Sequence, residues 1–170
     1  MITLEDITAA LAEAVRTSPH NYVSEQMALA PEDVGQRLYD DPIIAIGSAD
    51  DPLWEELKEP QVVGHIFRTP KQWLPQGRCV VSYFAPFSDY VVEGNREDNL
   101  LVGNGWLYAR VEGQAFLTEM NHFLEQWFER QGVKALSPYA SEEFKYVFDM
   151  KTGNEVKSYY NTYRIGKSNI

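Results

Sequence analysis

Apolar positions change their period several times along the chain, and each change predicts an element. Leu4, Ile7, Leu11 and Val15 recur three or four residues apart, which places them on one face of a helix. Thr3 stands three residues before Asp6, a variant of the capping-box spacing, and Ser18-Pro19 ends the segment. A second, shorter helix is expected within residues 23–38, because Pro31-Glu32-Asp33 suits a first helical turn and Val34 and Leu38 fall on one side. Ile43-Ile44-Ala45-Ile46-Gly47 is a short β-branched run between turn residues and predicts a buried strand. Asp51 and Pro52 then fit the N-cap and first position of a helical segment running to Lys58.

Residues 60–77 are punctuated by Pro60, Gly64, Pro70, Pro75 and Gly77, the pattern of a connector laid over the body. Residues 79–84, Cys-Val-Val-Ser-Tyr-Phe, form the clearest strand, and their near-continuous hydrophobicity suits an interior strand covered on both faces. Residues 88–105 are rich in Asp, Glu, Asn and Gly; a loop of that length is a candidate site or lid. The longest helix is expected over residues 106–131. At 100° per residue, Ala109, Phe116, Met120, Phe123 and Trp127 share one narrow arc, edged by Leu117, Leu124 and Phe128, while Glu112, Glu119, Glu125, Gln126 and Glu129 lie away from it. Gly132 fits the left-handed residue that ends this helix, and residues 133–136 read as a following strand. Strand, helix, strand predicts a right-handed parallel crossover. The fold class expected is therefore α/β: one compact domain with a mixed or parallel sheet, flanking helices and one long amphipathic helix. Within it, residues 1–40 form an acidic helical N-terminal part, 41–137 the α/β core, and 138–170 an aromatic tail.

A length of 170 residues agrees with one domain and gives enough buried surface to fold without a disulfide or metal. The single cysteine, Cys79, excludes an internal disulfide, a four-thiolate zinc site and a thiolate-held iron–sulfur cluster built from this chain alone. With no membrane-length apolar run and no signal-peptide pattern at the N-terminus, a cytoplasmic location without membrane attachment is expected. The net charge of −10 is unevenly placed: residues 1–60 hold 13 acidic and 3 basic side chains, and the remainder balances. An acidic surface without a basic stripe argues against nucleic-acid binding. It suits either a solubilising face or docking to a basic partner, and neutralising Asp40, Asp41, Asp50 and Asp51 would separate the two.

Candidate chemistry is sparse. His20, His65 and His122 are too scattered for a metal motif, and no metal site is expected. Gly103-Asn104-Gly105 precedes the long helix but lacks the third glycine, Lys or Thr of a phosphate loop, so it reads as a hinge. Cys79 beside Val80 and Val81 reads as a buried, inert thiol, with Arg78 adjacent should the strand end be exposed. No nucleophile–base constellation is present, which ranks a self-sufficient hydrolase or transferase last. In the polar segment, Asn95-Arg96 offers a donor fork suited to carboxylate or phosphate. Trp106, Tyr108 and Arg110 open the helix beside it, and Phe84 ends the preceding strand. These six, Phe84, Asn95, Arg96, Trp106, Tyr108 and Arg110, are the candidate ligand-binding residues. The aromatic content of 4 Trp, 10 Tyr and 8 Phe exceeds what one core must hide, so a homodimer through Tyr139, Phe144, Tyr146, Phe148, Tyr159 and Tyr160 is expected.

Asp51-Pro52-Leu53-Trp54, Gly64-His65, Trp73-Leu74-Pro75, the run Val80 to Phe87, Asn95-Arg96, and Trp106 followed by Ala109 to Phe116 occur in order. As a collinear set over roughly residues 40–137, they resemble the N-terminal part of epoxyqueuosine-reductase-like iron–sulfur proteins of anaerobes. The resemblance implies an α/β region that longer members join to a ferredoxin-like segment, with cobalamin above the clusters in the reductases proper. Here the cluster cysteines are missing, and neither the reductases' catalytic Asp nor their cobalamin contacts match a position. The resemblance therefore implies a redox-related module that either stands alone or works with a separate iron–sulfur protein, binding a corrinoid, a flavin or a similar ligand near residues 84–110. The alternative is a non-enzymatic regulatory or assembly protein acting through protein contacts.

Overall fold

A computed structural model describes residues 2–96 and 101–141. Its elements in chain order are helix α1 (Leu4–Thr17), strand β1 (Ile43–Ser48), the one-turn helices α2 (Leu53–Glu56) and α3 (Pro70–Trp73), strand β2 (Cys79–Phe84), helix α4 (Asp89–Gly94) and helix α5 (Asn104–Arg130), with 3₁₀ turns at Pro19–Asn21, Pro31–Asp33 and Pro138–Ala140. The class is mixed α/β. The chain packs as two discontinuous compact units, Met1–Ile43 with Phe84–Phe123 and Ile44–Tyr83 with Leu124–Ile170.

In the first unit α1 begins as its sequence dictates. The Thr3 hydroxyl accepts from the Asp6 N–H at 3.1 Å and the Asp6 carboxylate accepts from the Thr3 N–H at 2.8 Å, closing the capping box. Ile7, Leu11, Ala12 and Val15 are buried. The helix expected within residues 23–38 does not form. A 3₁₀ turn is all that Pro31-Glu32-Asp33 nucleates, because the flanking arms pair with each other instead. The Val23 N–H reaches the Gln36 carbonyl, the Gly35 N–H reaches the Val23 carbonyl, and Tyr22 and Arg37 form an antiparallel bridge. Gly35, at φ 79°, supplies a left-handed turn that an interior helical residue would not adopt.

Asn21 holds this loop to the rest of its unit. Its fully buried amide donates to the carbonyls of Val15 (2.9 Å) and Tyr39 (3.0 Å) and accepts from the Tyr39 N–H (2.8 Å). An Asn21→Leu substitution strands those backbone groups, and a loss of about 3 kcal/mol in urea unfolding is expected.

In the second unit β1 and β2 form a two-stranded antiparallel sheet, prolonged by the Ala49 N–H to the Arg78 carbonyl at 3.0 Å. The expected parallel or mixed sheet is not what the described residues form, because the third strand is missing. Residues 133–136 have no ladder partner; the Val133 N–H is already spent on the Phe128 carbonyl, at 2.9 Å, where it closes the end of α5. With one neighbour each, the strands are less covered than their hydrophobicity suggests. Ile43 and Ile46 of β1 are 63% and 46% exposed, so β1 is not a buried strand. On β2 only Val81 and Tyr83 are buried, the alternation of a strand covered on one face.

Helix α5 starts and ends within two residues of its expected bounds. Its buried seam runs Phe116, Met120, Leu124, Phe128, whereas Phe123 and Trp127, expected at the centre of the arc, are half-buried. Steps of four residues advance about 40° beyond a full turn, so a seam kept at i, i+4 drifts around the helix and takes in residues from the edge of the arc. Among the described residues no helix is long and apolar enough to cross a membrane.

Candidate functional site

Four of the six residues put forward from sequence carry polar groups beyond a ring edge, and three of those are engaged by neighbours within the first unit. The Asn95 carboxamide oxygen accepts from the Gly103 N–H at 2.9 Å. Arg96 is exposed and pairs with Glu93 at 2.6 Å. Tyr108 is buried, donates to Asp33 at 2.7 Å and accepts from the Leu29 N–H at 2.6 Å. Arg110 lies on the exposed side of α5, and Phe84 and Trp106 are half-buried. The polar segment is also shorter than expected, since α4 occupies Asp89–Gly94. Glu97 and Asp98, the acids that follow Arg96 in sequence and could also pair with it, lie outside the described residues.

What the sequence reading missed here is Asp33. This buried carboxylate accepts from the Tyr90 hydroxyl (2.6 Å), the Tyr108 hydroxyl (2.7 Å) and the Asn104 amide (3.0 Å). Burial alone would raise its pKa, but the hydrogen bonds from Tyr90, Tyr108 and Asn104 together hold it below the usual carboxylate range. Burial and the same carboxylate push the Tyr90 hydroxyl upward, and burial leads the rise at Tyr108. With the carboxylate receiving three side-chain donors from these elements, the cluster locks the loop at Asp33 to α4 and α5. Gly103 and Gly105 serve that lock as close-approach residues rather than as a hinge. A Cβ would stand 2.6 Å from the Gly94 carbonyl oxygen at Gly103 and 2.9 Å from the Tyr90 ring at Gly105.

The four acids proposed for partner docking are also locally engaged. Asp41 pairs with Arg16 and, at 2.9 Å, with Arg37, while Asp40 is 3.8 Å from Arg37. The hydrogen bonds from Arg16 and Arg37 hold the Asp41 carboxyl low. Asp50 pairs with Lys71 at 3.2 Å, and Asp51 accepts from the Leu53 N–H at 2.9 Å; the N-cap of α2 is Pro52 rather than the expected Asp51, and the helix stops at Glu56 short of Lys58. His20, His65 and His122 are all exposed. Among the described residues no group of three His, Cys, Asp or Glu side chains could hold a metal ion. Tyr139 is half-buried, and Phe144, Tyr146, Phe148, Tyr159 and Tyr160 lie outside the described residues.

The second unit holds an apolar cavity of about 500 Å³, within the range of small-molecule sites. Its walls come from the approach to β2 (Arg78, Cys79), Val81 of that strand, Leu74 after α3, Phe128 in the last turn of α5 and the segment after that helix. Gly132, at φ 73°, ends α5 in the left-handed conformation expected of it. Residues 132–136 then run as a strap tied at both ends: the Val133 N–H to the Phe128 carbonyl, and the Ser137 N–H to the Glu125 carboxylate. Val133, Ala135 and Leu136 of the strap line the cavity. A second hollow of about 580 Å³, bounded by Glu125 and Glu129, also borders the strap. Cys79 is exposed at the cavity wall. It is not the buried thiol expected, because the first residue of a strand in a two-stranded sheet is left uncovered. The cavity had one sequence signal, Arg78 beside Cys79 at a strand start; its wall comes from three separate stretches, Ala49, residues 70–81 and residues 128–136, that no local pattern joins.

Comparison with protein-family models, with curated proteins and with solved structures finds no match to this chain.

Proposed function

We propose that the chain is a small-molecule-binding module whose site is the apolar cavity of the second unit. The observation that carries this reading is the strap: both ends are bonded to α5, yet its apolar side chains line open volume. Unfilled apolar volume is unfavourable, since close packing is the rule inside proteins, and a ligand that filled it would stabilise the folded unit. The volume takes a flat ring system or an acyl chain. The resemblance to epoxyqueuosine-reductase-like proteins adds a redox setting, in which a separate iron–sulfur protein would meet the ligand this module holds.

The single thiol makes the reading testable. Cys79 borders the cavity, so a molecule bound there shields it from alkylation. With the full chain and N-ethylmaleimide, saturating decanol or riboflavin, both neutral, is expected to slow alkylation of Cys79 about tenfold. Filling the cavity by Ala135→Phe should abolish the effect of the ligand. Equal rates with and without both compounds would overturn the reading.

A further inference from the structure

We infer that the ligand of this cavity is an amphipathic anion, specifically a free acyl carboxylate, with its apolar body against Leu74, Val81, Phe128 and Leu136 and its head group received by Arg78 and Lys134. The inference rests on the ligand-binding reading above and adds to it the charge and class of the ligand. Its basis is the charge of the wall. The protein carries a net charge of −10, yet the charged side chains lining the cavity are Arg78 and Lys134, with no carboxylate among them. Elsewhere in the described residues Arg16, Arg37, Lys58, Lys71 and Arg96 pair with acids and Arg68 stands over the Trp73 ring, while Arg110 and Arg130 form no ion pair but border neither hollow. Arg78 and Lys134 have no ion-pair partner among the described residues. Two unneutralised cations beside apolar volume match a molecule with a hydrocarbon body and one anionic end, because a charge-assisted hydrogen bond at the mouth adds to burial of the tail. The placement of the acids agrees. Glu125 and Glu129 border the second hollow, and the Glu125 carboxylate is held there by the Ser137 N–H. Lys134 borders both spaces and Arg78 only the apolar one, so Arg78 is the principal receptor for the head group.

Three probes of equal chain length separate charge from burial: decanoate, decanol and decyltrimethylammonium, each below its micelle concentration, scored by protection of Cys79 in the full chain. Decanoate is expected to reach half-maximal protection at about one-tenth the concentration of decanol, the worth of one charge-assisted hydrogen bond, and the cation is expected to protect least. Arg78→Gln should weaken decanoate about tenfold and leave decanol unchanged, and Lys134→Gln should act in the same direction by less. Both positions are exposed, and each variant is scored as the ratio of rates with and without probe, so a change in intrinsic thiol reactivity cancels. Equal potency of decanoate and decanol, or a stronger effect of the cation, would overturn the anion inference while the binding reading stood. Failure of all three probes would overturn the binding reading itself. A Cys79 that already alkylates at a buried-thiol rate without probe would mean that the chain fills its own cavity, and would overturn both.

Discussion

Gly113→Ala is expected to destabilise the protein by about 3–5 kcal/mol, against the gain of up to about 1 kcal/mol that the same change brings at an ordinary helical position. The reason is Tyr39. Its ring lies flat on Phe116, with centroids 4.7 Å apart and planes 5° from parallel, and tilts against Phe87 at 5.3 Å. Its hydroxyl donates to the Ala109 carbonyl at 2.8 Å. That position is open only because residue 113 has no side chain: a Cβ would stand 2.0 Å from the Tyr39 hydroxyl oxygen and 3.2 Å from the ring carbon that bears it. The ring is 6% exposed and cannot swing away without breaking its stacking and its hydrogen bond. Combining Gly113→Ala with Tyr39→Phe removes the worst overlap, so the two losses should be sub-additive in a double-mutant cycle measured by urea unfolding. Additive losses would mean that the clash is relieved elsewhere. Burial also pushes the Tyr39 hydroxyl up to about 12, with Arg110 opposing slightly. The stability tied to this neutral phenol is therefore complete below its unfolded pKa of about 10 and is lost as the pH rises toward 12. Tyr39→Phe should flatten that alkaline decline.

Legibility in the sequence followed the range of the forces involved. Helix α1 was readable because Thr3 and Asp6, three positions apart, close its first turn, and the ends of α5 were readable from Gly132 and a seam of apolar steps. The two strands were placed within a residue of their bounds, since β-branched runs between turn residues are local signals. Their coverage was not readable. A strand is buried only by what pairs with it and packs on it, and residues 133–136, needed for the crossover, gave their first N–H to the end of α5. The loop after Val23 failed as a helix for a related reason: the Gln36 and Val23 carbonyls offered its N–H groups partners across the loop, and pairing at a distance overrode propensity. The six residues put forward as a site formed a contiguous stretch of suggestive chemistry. The structure spends Asn95 and Arg96 on neighbours in sequence and Tyr108 on the distant Asp33 and Leu29, and builds its cavity from segments as far apart in sequence as Leu74 and Leu136.

Asp33→Ala is expected to cost about 3–5 kcal/mol, because it removes the acceptor of the Tyr90 and Tyr108 hydroxyls and of the Asn104 amide, and the buried Tyr108 hydroxyl has no water to replace it. Asp33→Asn is the sharper test. It keeps the volume and one acceptor oxygen, but its NH₂ would face donors on one side, so most of the loss should remain. Tyr90→Phe and Tyr108→Phe should each cost less than Asp33→Ala, since each leaves the carboxylate two of its three side-chain donors. Tyr108→Phe should be the worse of the two, because the Leu29 N–H also loses its acceptor. The pH dependence carries the sign. The Asp33 carboxyl is held below the usual range in the folded protein, so the stability it supplies is fully present above its unfolded pKa of about 4 and is lost as the pH falls through the lower folded value. The gap in unfolding free energy between the natural protein and Asp33→Asn should therefore be constant from neutral pH down to about 5 and narrow below about 4. A gap that stayed constant into strong acid would mean that the carboxyl titrates alike in the folded and unfolded chain, and a gap that grew as the pH fell from neutral to about 4 would mean that Asp33 is protonated in the folded chain; in either case the lock around a carboxylate would have to be redrawn.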